Sequence, residues 1–248
     1  MKNYTLEACA DSVESALAAT RGGASRIELC SNLVIGGTTP SPCLFKEIRK
    51  HSDIRVHALI RPRFGDFCYT DFEFAIIQEE VKMFRELGAE GVVIGILKSD
   101  GTLNLEQLEI LKKLSGNMKV TLHRAFDVCV DPYHALEQAI NLGMDTILTS
   151  GQKNVCTGGK RLIKELVEKG GDRVEIQVGS GVSADVIQEM YQATHARAYH
   201  MSGKITLDST MEYRKEDVNM GLPNISEFEI LRTEEDNIRE ARQVLEEL

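Results

Sequence analysis

Residues 21–30 read RGGASRIELC, a stretch that combines the end of a helix, a glycine turn and the start of a strand. The same order of features recurs as ELGAEGVVIGI at 86–96, NLGMDTILTSG at 141–151 and EKGGDRVEIQVG at 168–179. Glycine at the end of a helix can adopt the left-handed conformation that turns the chain back tightly. The recurrence therefore predicts alternating helices and strands, which is typical of a parallel sheet covered by helices.

The remaining extended segments, at 4–10, 55–61, 120–125 and 198–202, bring the number of predicted strands to eight. Eight strand–helix units in 248 residues predict an α/β protein folded as a closed (β/α)8 TIM-type barrel. The alternative is an open doubly wound sheet, whose first loop ordinarily carries a glycine-rich dinucleotide motif. Here the loop after the first strand reads CADS at 9–12, without glycine, and the barrel is favoured.

The predicted domain spans the whole chain, 1–248, and its two ends carry further signals. Near the start, Asp11 is predicted to cap the first helix, with Glu14 placed for a capping box. After the eighth strand, the segment 204–232 shows no clean period and is predicted to be irregular. The tail, 233–248, is predicted to be a capped helix with one apolar stripe.

Composition limits the classes of partner. The formal net charge of −9 offers no basic stripe for nucleic acid. No apolar run is long enough to span a bilayer, and the first 15 residues lack the apolar stretch of a signal peptide. Six cysteines without short paired spacing are expected to be thiols in a reducing compartment. We therefore expect a cytoplasmic protein with neither nucleic-acid nor membrane partners.

The predicted strands alternate polar and apolar residues, whereas parallel strands covered by helices usually read as apolar runs. In the first strand Glu7 and Cys9 share one face, and in the fifth Thr121 and His123 do. Charges inside a protein are expensive unless they are paired, hydrated or functional. We expect the polar faces to line the barrel interior, as a structural ion network deep in the strands (Glu7, Glu175) or as a site near the rim.

Active sites of such barrels lie at the carboxyl ends of the strands, where polar residues cluster in this sequence. Glu28 and His123 are candidate catalytic residues, because a mixture of buried acids and bases can shift pKa values enough for proton transfer. Glycine turns follow strands seven and eight, where barrels often bind phosphate, although glycine also serves simply to make a turn tight. The candidate substrate-binding residues are Arg61, Asp66, Arg124, Asp127, Ser150, Gly179, Gly181 and Ser202.

Cys9 and Cys30 end the first two strands on the inward-facing parity. Neighbouring strands lie about 4.8 Å apart, so the two sulfur atoms can approach each other if the barrel stagger allows it. Two close thiolates suit a soft ion such as Cu(I). Cysteine is also a common small residue of protein cores, and this plainer explanation stays open.

Four motifs resemble those of the CutC copper-homeostasis family: ELCSNLVIGGTTPS at 28–41, IRPRFGDFCYTD at 60–71, LHRAFDVCVDP at 122–132 and LTSGQ at 148–152. The resemblance extends from about Leu6 to Tyr213 and implies a cytosolic barrel associated with copper handling. It also implies that Cys9 and Cys30 match the cysteines proposed as copper ligands. Two departures are the sequence Gly179-Ser-Gly181, where the family has consecutive glycines, and the charged tail beyond Tyr213.

Three hypotheses follow. The first is a copper-homeostasis protein that binds Cu(I), as cofactor or partner ion, through Cys9 and Cys30. The second is an enzyme in which Arg61 binds a small phosphorylated or carboxylated metabolite and Glu28 or His123 moves a proton. The third is a scaffold that contacts a partner or a second copy of the chain through the segment 204–232 and the acidic tail. In each case we expect a homo-oligomer.

Overall fold

The computed structural model describes residues 4–215, 217–218, 220–221 and 226–248. Within them, parallel strands β1 to β8 pair in sequence order and close into a barrel, since β8 also pairs with β1. The strands are β1 (Thr5–Ala10), β2 (Arg26–Leu29), β3 (Val56–Leu59), β4 (Gly91–Ile94), β5 (Lys119–Leu122), β6 (Thr146–Thr149), β7 (Glu175–Val178) and β8 (Ala198–Met201). The predicted (β/α)8 barrel is confirmed.

Helices cover the outer face of the barrel. They are α1 (Val13–Arg21), α2 (Pro42–Arg49), α3 (Asp71–Glu86), α4 (Leu105–Ser115), α5 (Pro132–Asn141), α6 (Lys160–Gly170), α7 (Ala184–Thr194) and α8 (Glu235–Glu247). Short 3-10 turns follow β2, β5 and β6 at Leu33–Ile35, Arg124–Val128 and Cys156–Gly159. None of the described helices has both the length and the apolar character needed to cross a membrane.

The two faces of each strand have different surroundings. Leu6, Ala8 and Ala10 of β1 are buried in the core between the strands and the helices. Glu7 faces the other way, and its backbone pairs with Arg26 of β2 on one side and with His200 of β8 on the other. The alternation predicted from the sequence therefore places the polar residues of these three strands inside the barrel.

The cap of α1 differs from the prediction by one residue. Ser12, in extended conformation, accepts a hydrogen bond from the backbone N–H of Ser15 at 3.2 Å. The prediction that Asp11 caps α1 was therefore wrong. The cap is Ser12, because it has the non-helical backbone and a short hydroxyl side chain that accepts the bond.

The segment 204–232 is more ordered at its ends than the sequence predicts. Strand β9 (Lys204–Asp208) pairs antiparallel with β10 (Glu229–Thr233), and residues 216, 219 and 222–225 between them lie outside the described residues. Because Thr233 belongs to β10, the last helix begins at Glu235 and not at 233. Of the predicted stripe of Ile238, Ala241, Leu245 and Leu248, the first three are buried and the last is half-buried, and α8 packs against α1 and α7.

Candidate functional site

A cavity of about 290 Å³ opens at the carboxyl ends of the strands, and we call it the mouth cavity. Seven predicted site residues line it, together with His200 and the side chains of Leu33, Leu59 and Phe67. The seven are Cys9, Glu28, Arg61, His123, Arg124, Gly181 and Ser202. The carboxyl ends of parallel strands meet at one end of a barrel, so residues from distant parts of the sequence gather here.

Arg61, the second residue after β3, is buried in the wall of the mouth cavity. Its Nη1 donates to the carbonyls of Gly36 (3.2 Å) and Gly37 (2.9 Å), and its Nη2 donates to that of Gly65 (3.1 Å). Its Nε is buried without a hydrogen-bond partner, and no carboxylate of the described residues lies within 4.0 Å of the guanidinium. The guanidinium also lies over the ring of Phe67, 5.2 Å from its centroid. A buried cation held by carbonyls and an aromatic ring, with no carboxylate beside it, keeps its positive charge available for an anion.

The backbone of Arg61 is held by Thr39. The Thr39 hydroxyl accepts from the Arg61 backbone N–H at 2.9 Å and donates to Oε2 of Glu80 on α3 at 2.8 Å. The backbone N–H of Thr39 also donates to the Arg61 carbonyl at 2.9 Å. Helix α3 therefore helps to fix the position of the arginine through one threonine.

His123 follows β5 directly and is held in one tautomer. Its Nδ1 accepts from the backbone N–H of Ala125 at 3.1 Å, which leaves the proton of the neutral ring on Nε2. Burial, and then the charge of Arg61, lower the pKa of His123 to about 3. The buried Nε2 has no hydrogen-bond partner among the described residues, and the ring packs on Phe67 with 4.8 Å between centroids. His123 thus offers a neutral N–H donor at physiological pH.

Glu28 of β2 is a buried carboxyl group on the same cavity. Burial, with a further contribution from Glu7, raises its pKa to about 7, against the attraction of His200 and Arg26. Its Oε2 is buried and lacks a hydrogen-bond partner within the described chain. A carboxyl group that titrates near neutral pH can both accept and release a proton.

Below the cavity, Glu7 is the centre of a buried network. Arg26 donates to its Oε2, while Gln177 (3.0 Å) and Nδ1 of His200 (2.8 Å) donate to its Oε1. Burial opposes ionisation, but Arg26 and His200 outweigh it and hold the pKa of Glu7 well below its usual range. Glu175 joins the network at 3.8 Å from Arg26. The carboxylates deep in the strands therefore have structural partners.

The model of the CutC family matches residues 4–205. The chain belongs to the CutC family. Relatives named family protein CutC are 43% identical over 234 residues in Bacteroides fragilis, with 92% of each chain covered, and 41% identical over 239 residues in Vibrio vulnificus, with 96% of each covered. The family resemblance of the motifs is confirmed.

Solved structures agree with this assignment. CutC from Streptococcus agalactiae, which bears the name of a copper homeostasis protein, superposes with a TM-score of 0.77 at 34% identity and covers 81% of this chain and 99% of its own. Phosphoribosylanthranilate isomerase from Thermotoga maritima superposes with a TM-score of 0.57 at 13% identity, covering 99% of this chain and 100% of its own. The second likeness concerns the fold alone.

In this CutC chain, four of the predicted substrate-binding residues lie outside the lining of the mouth cavity. Asp127 accepts from the backbone N–H groups of Ser150 and Gln152 and binds Nε of Arg124 at 2.7 Å, so it supports Arg124 from behind. The Ser150 hydroxyl belongs to the same cluster and bonds Arg124 at 2.9 Å. Two others serve local structure: Asp66 pairs with Arg63 at 3.0 Å, and at Gly179 a Cβ would lie 2.6 Å from Leu148.

The two cysteines that the family resemblance singles out have different surroundings. Cys9 lines the mouth cavity, and its backbone pairs with Glu28 in the register of β1 and β2. Cys30 lies two residues farther along, packed with Leu59, and its thiol donates to the carbonyl of Ala10 at 3.6 Å. Burial, and then the proximity of Cys9, raise the pKa of Cys30 well above its usual value. Of the two cysteines, Cys9 lines the mouth cavity and Cys30 does not.

His200 is the functional candidate that the sequence reasoning left out of its list of site residues. It lines the mouth cavity, and its Nδ1 donates to Oε1 of Glu7 at 2.8 Å. Ligand atoms of Glu7, Glu28 and His200 lie within 4.8 Å of one another, but both oxygens of Glu7 already accept hydrogen bonds. The signal for His200 was its inward parity on β8, opposite Tyr199 and Met201.

Proposed function

We propose that this CutC-family protein binds a small anionic metabolite in the mouth cavity and acts on it by proton transfer. One observation carries the proposal: Glu28 Oε2, Arg61 Nε and His123 Nε2 are buried, lack partners within the described chain, and belong to residues that line one cavity. Buried polar atoms nearly always have hydrogen-bond partners, so three exceptions around one cavity indicate a missing ligand.

The roles follow from the chemistry of each group. Arg61 would bind the carboxylate or phosphate of the ligand, because its charge is not neutralised by any described carboxylate within 4.0 Å. His123 would donate its Nε2 proton in a hydrogen bond to an oxygen on which negative charge develops. Glu28 would take up or release the proton. Removal of a proton from a carbon beside a carbonyl group is the reaction class that uses such a set.

A thermal-shift screen tests the binding step. Phosphate, simple carboxylates and phosphorylated sugars are compared on the wild type, Arg61→Gln and, as a matched control, Arg173→Gln, whose side chain pairs with Glu137 on the surface. A ligand at about 100 times its Kd stabilises the native state by about 2.7 kcal/mol, which raises Tm by several degrees for a domain of this size. We expect that rise in the wild type and in Arg173→Gln only. If no anion stabilises the wild type more than Arg61→Gln, the proposal is wrong.

A second candidate function is the handling of Cu(I) as cargo by Cys9 and Cys30. It is supported by the family and by the places of the two cysteines at the ends of the neighbouring strands β1 and β2. The donor set fits a soft ion, but Cys30 would have to lose its proton and release the Ala10 carbonyl. Titration of the reduced protein with Cu(I) tests this, with Cys9→Ser/Cys30→Ser as the variant and Cys43→Ser/Cys68→Ser as the exposed control. Unchanged stoichiometry and affinity in the first variant would exclude these residues.

Three broader expectations are part of the same proposal. The net charge of −9 and the free thiols support a cytoplasmic protein without nucleic-acid or membrane partners. The packing of α8 against α1 and α7 supports a single domain over 1–248. Light scattering tests the expected homo-oligomer, which should show a multiple of 27.6 kDa. A monomer mass at micromolar concentration would contradict it.

A further inference from the structure

The turn after β7 and the residue after β8 form one side of the mouth cavity. Ser180, Gly181 and Val182 belong to the turn, Ser202 follows β8, and all four line the cavity. None of their backbone N–H groups donates to an acceptor in the part of the chain that the structure describes. Because a backbone N–H group needs an acceptor, these four donors are available to a ligand of the cavity.

The conformation of this turn is unusual for its sequence. Ser180 has a φ of +72° and Gly181 a φ of +75°, and the first is an angle that a residue with a Cβ seldom adopts. The Ser180 hydroxyl donates to the carbonyl of Asn154 at 2.6 Å, and its carbonyl accepts from the N–H of Cys156 at 3.0 Å. The loop after β6 therefore fixes the turn and leaves its N–H groups unused. Turns that gather successive N–H groups form concave sites for anions.

Arg61 lies on the opposite side of the mouth, because β3 and β7 are four strands apart in a ring of eight. A guanidinium has five N–H donors, and the carbonyls of Gly36, Gly37 and Gly65 accept from three of them. The two that remain are on Nε and Nη2. His123, which also lines the cavity, adds its buried Nε2–H. Paired N–H donors of this kind match the two oxygens of a carboxylate.

We propose that the ligand of the mouth cavity is a small phosphorylated carboxylate, with its carboxylate on Arg61 and His123 and its phosphate on the N–H groups of Ser180, Gly181 and Ser202. The inference rests on the proposed function and specifies the class of ligand. The ends are assigned by their donors. The charged side offers few donors for two oxygens, whereas the β7–β8 side offers several N–H groups and the Ser202 hydroxyl for the three oxygens of a phosphate.

The rest of the lining limits what joins the two anionic groups. It includes Leu59, Leu148 and Met201, all of which are buried. Apolar side chains offer no partners to a row of hydroxyl groups, and a hydroxyl group that is buried without a partner is costly. We therefore expect a short carbon chain between the carboxylate and the phosphate, and not a sugar.

A series of linked compounds tests the two-ended site. Phosphonoacetate, 3-phosphonopropionate and 4-phosphonobutyrate are compared with propionate and methylphosphonate, which carry one anionic group each, and affinities are measured by titration of the amide NMR signals. Linking two groups that occupy two sites raises the affinity by about a hundredfold or more when the linker matches the span. We expect one member of the series to exceed both single-group compounds by that factor.

The variants separate the two ends. In Arg61→Gln, propionate binding and the advantage of the linked compounds should be lost, while methylphosphonate binds as to the wild type. Ser202→Asp adds a negative charge beside the N–H groups and should weaken methylphosphonate binding by about tenfold or more. Ser99→Asp, which adds the same charge on an exposed turn outside the cavity, should leave both affinities unchanged.

A measurement on the wild type alone covers the case in which a variant fails to fold. Methylphosphonate should shift the amide signals of Ser180, Gly181 and Ser202. The inference is overturned if those signals do not move, if no linked compound binds more tightly than both single-group compounds, or if Arg61→Gln abolishes methylphosphonate binding. Failure of the proposed function gives a different result, in which propionate and the linked compounds bind equally to the wild type and to Arg61→Gln.

Discussion

Gly95 lies directly against His123, so that a Cβ at position 95 would come within 2.4 Å of Cε1 of the imidazole ring. Such a contact forces one of the two to move, and the ring is the more movable group. We predict that Gly95→Ala shifts His123 and lowers the affinity for the stabilising anion by about tenfold, as expected for the loss of about one hydrogen bond. The thermal shift measures the effect. In the control Gly158→Ala, a Cβ at position 158 would lie 3.5 Å from Lys153 Cβ, which is an ordinary contact. The rise in Tm caused by the anion should therefore be the same as in the wild type.

A glycine-to-alanine substitution at Gly91, on β4, should lower the stability of the fold and leave anion binding unchanged. At Gly91 a Cβ would lie 2.5 Å from Cδ2 of His57, which does not line the mouth cavity. We predict that Gly91→Ala lowers the free energy of unfolding by about 1–3 kcal/mol, the usual cost of overpacking, without weakening anion binding per folded molecule. Denaturant titration measures the first quantity. Equal stability of Gly91→Ala and the wild type would contradict the packing of His57 against β4.

Much of the fold and part of the site could be predicted from the sequence. The glycine after four of the helices marked the strand–helix repeat, and the parity of the polar residues placed Glu28, Arg61 and His123 on the inner face. Because the carboxyl ends of all eight strands meet at one mouth, residues far apart in sequence could be expected to share one cavity.

The features that the sequence did not predict depend on the register between strands and on local turns. Because Cys9 pairs with Glu28, Cys30 lies two residues beyond the level of Cys9, and the alternation of residues within one strand does not determine the register between two strands. The 3-10 turn Arg124–Val128 carries Asp127 behind the wall towards Ser150, although its position after β5 resembles that of a rim residue. Strands β9 and β10 were not predicted because their pairing is non-local: Asp208 pairs with Glu229, 21 positions away, and Lys204 pairs with Thr233, 29 positions away.

The acid stability of the protein should depend on His57. Burial lowers its folded-state pKa to about 4 from the usual value of 6.5, against the attraction of Glu7. Between these values the unfolded chain binds more protons than the folded one. The stabilisation due to a neutral His57 is therefore complete above pH 6.5 and is lost as the pH falls towards 4. We predict that His57→Gln loses less stability than the wild type between pH 7 and pH 4.5, by up to about 3 kcal/mol. Denaturant titrations at the two pH values measure the difference, and parallel losses would show that His57 is not buried in its neutral form.

Thr39 should influence how tightly the mouth cavity binds an anion, although Thr39 does not line the cavity. Its hydroxyl accepts from the Arg61 backbone N–H and donates to the half-buried Glu80, whose pKa burial raises. In Thr39→Val the shape is kept but both bonds are lost, so the Arg61 N–H is left without its acceptor. We predict that anion affinity falls by about tenfold in Thr39→Val, which corresponds to about 1.4 kcal/mol, and that Thr39→Ser, which keeps the hydroxyl, binds like the wild type. Calorimetric titration with the anion found in the screen measures both. If Thr39→Val and Thr39→Ser bind the anion with the same affinity, the hydroxyl of residue 39 does not position Arg61, and Glu80 of α3 does not influence anion binding through it.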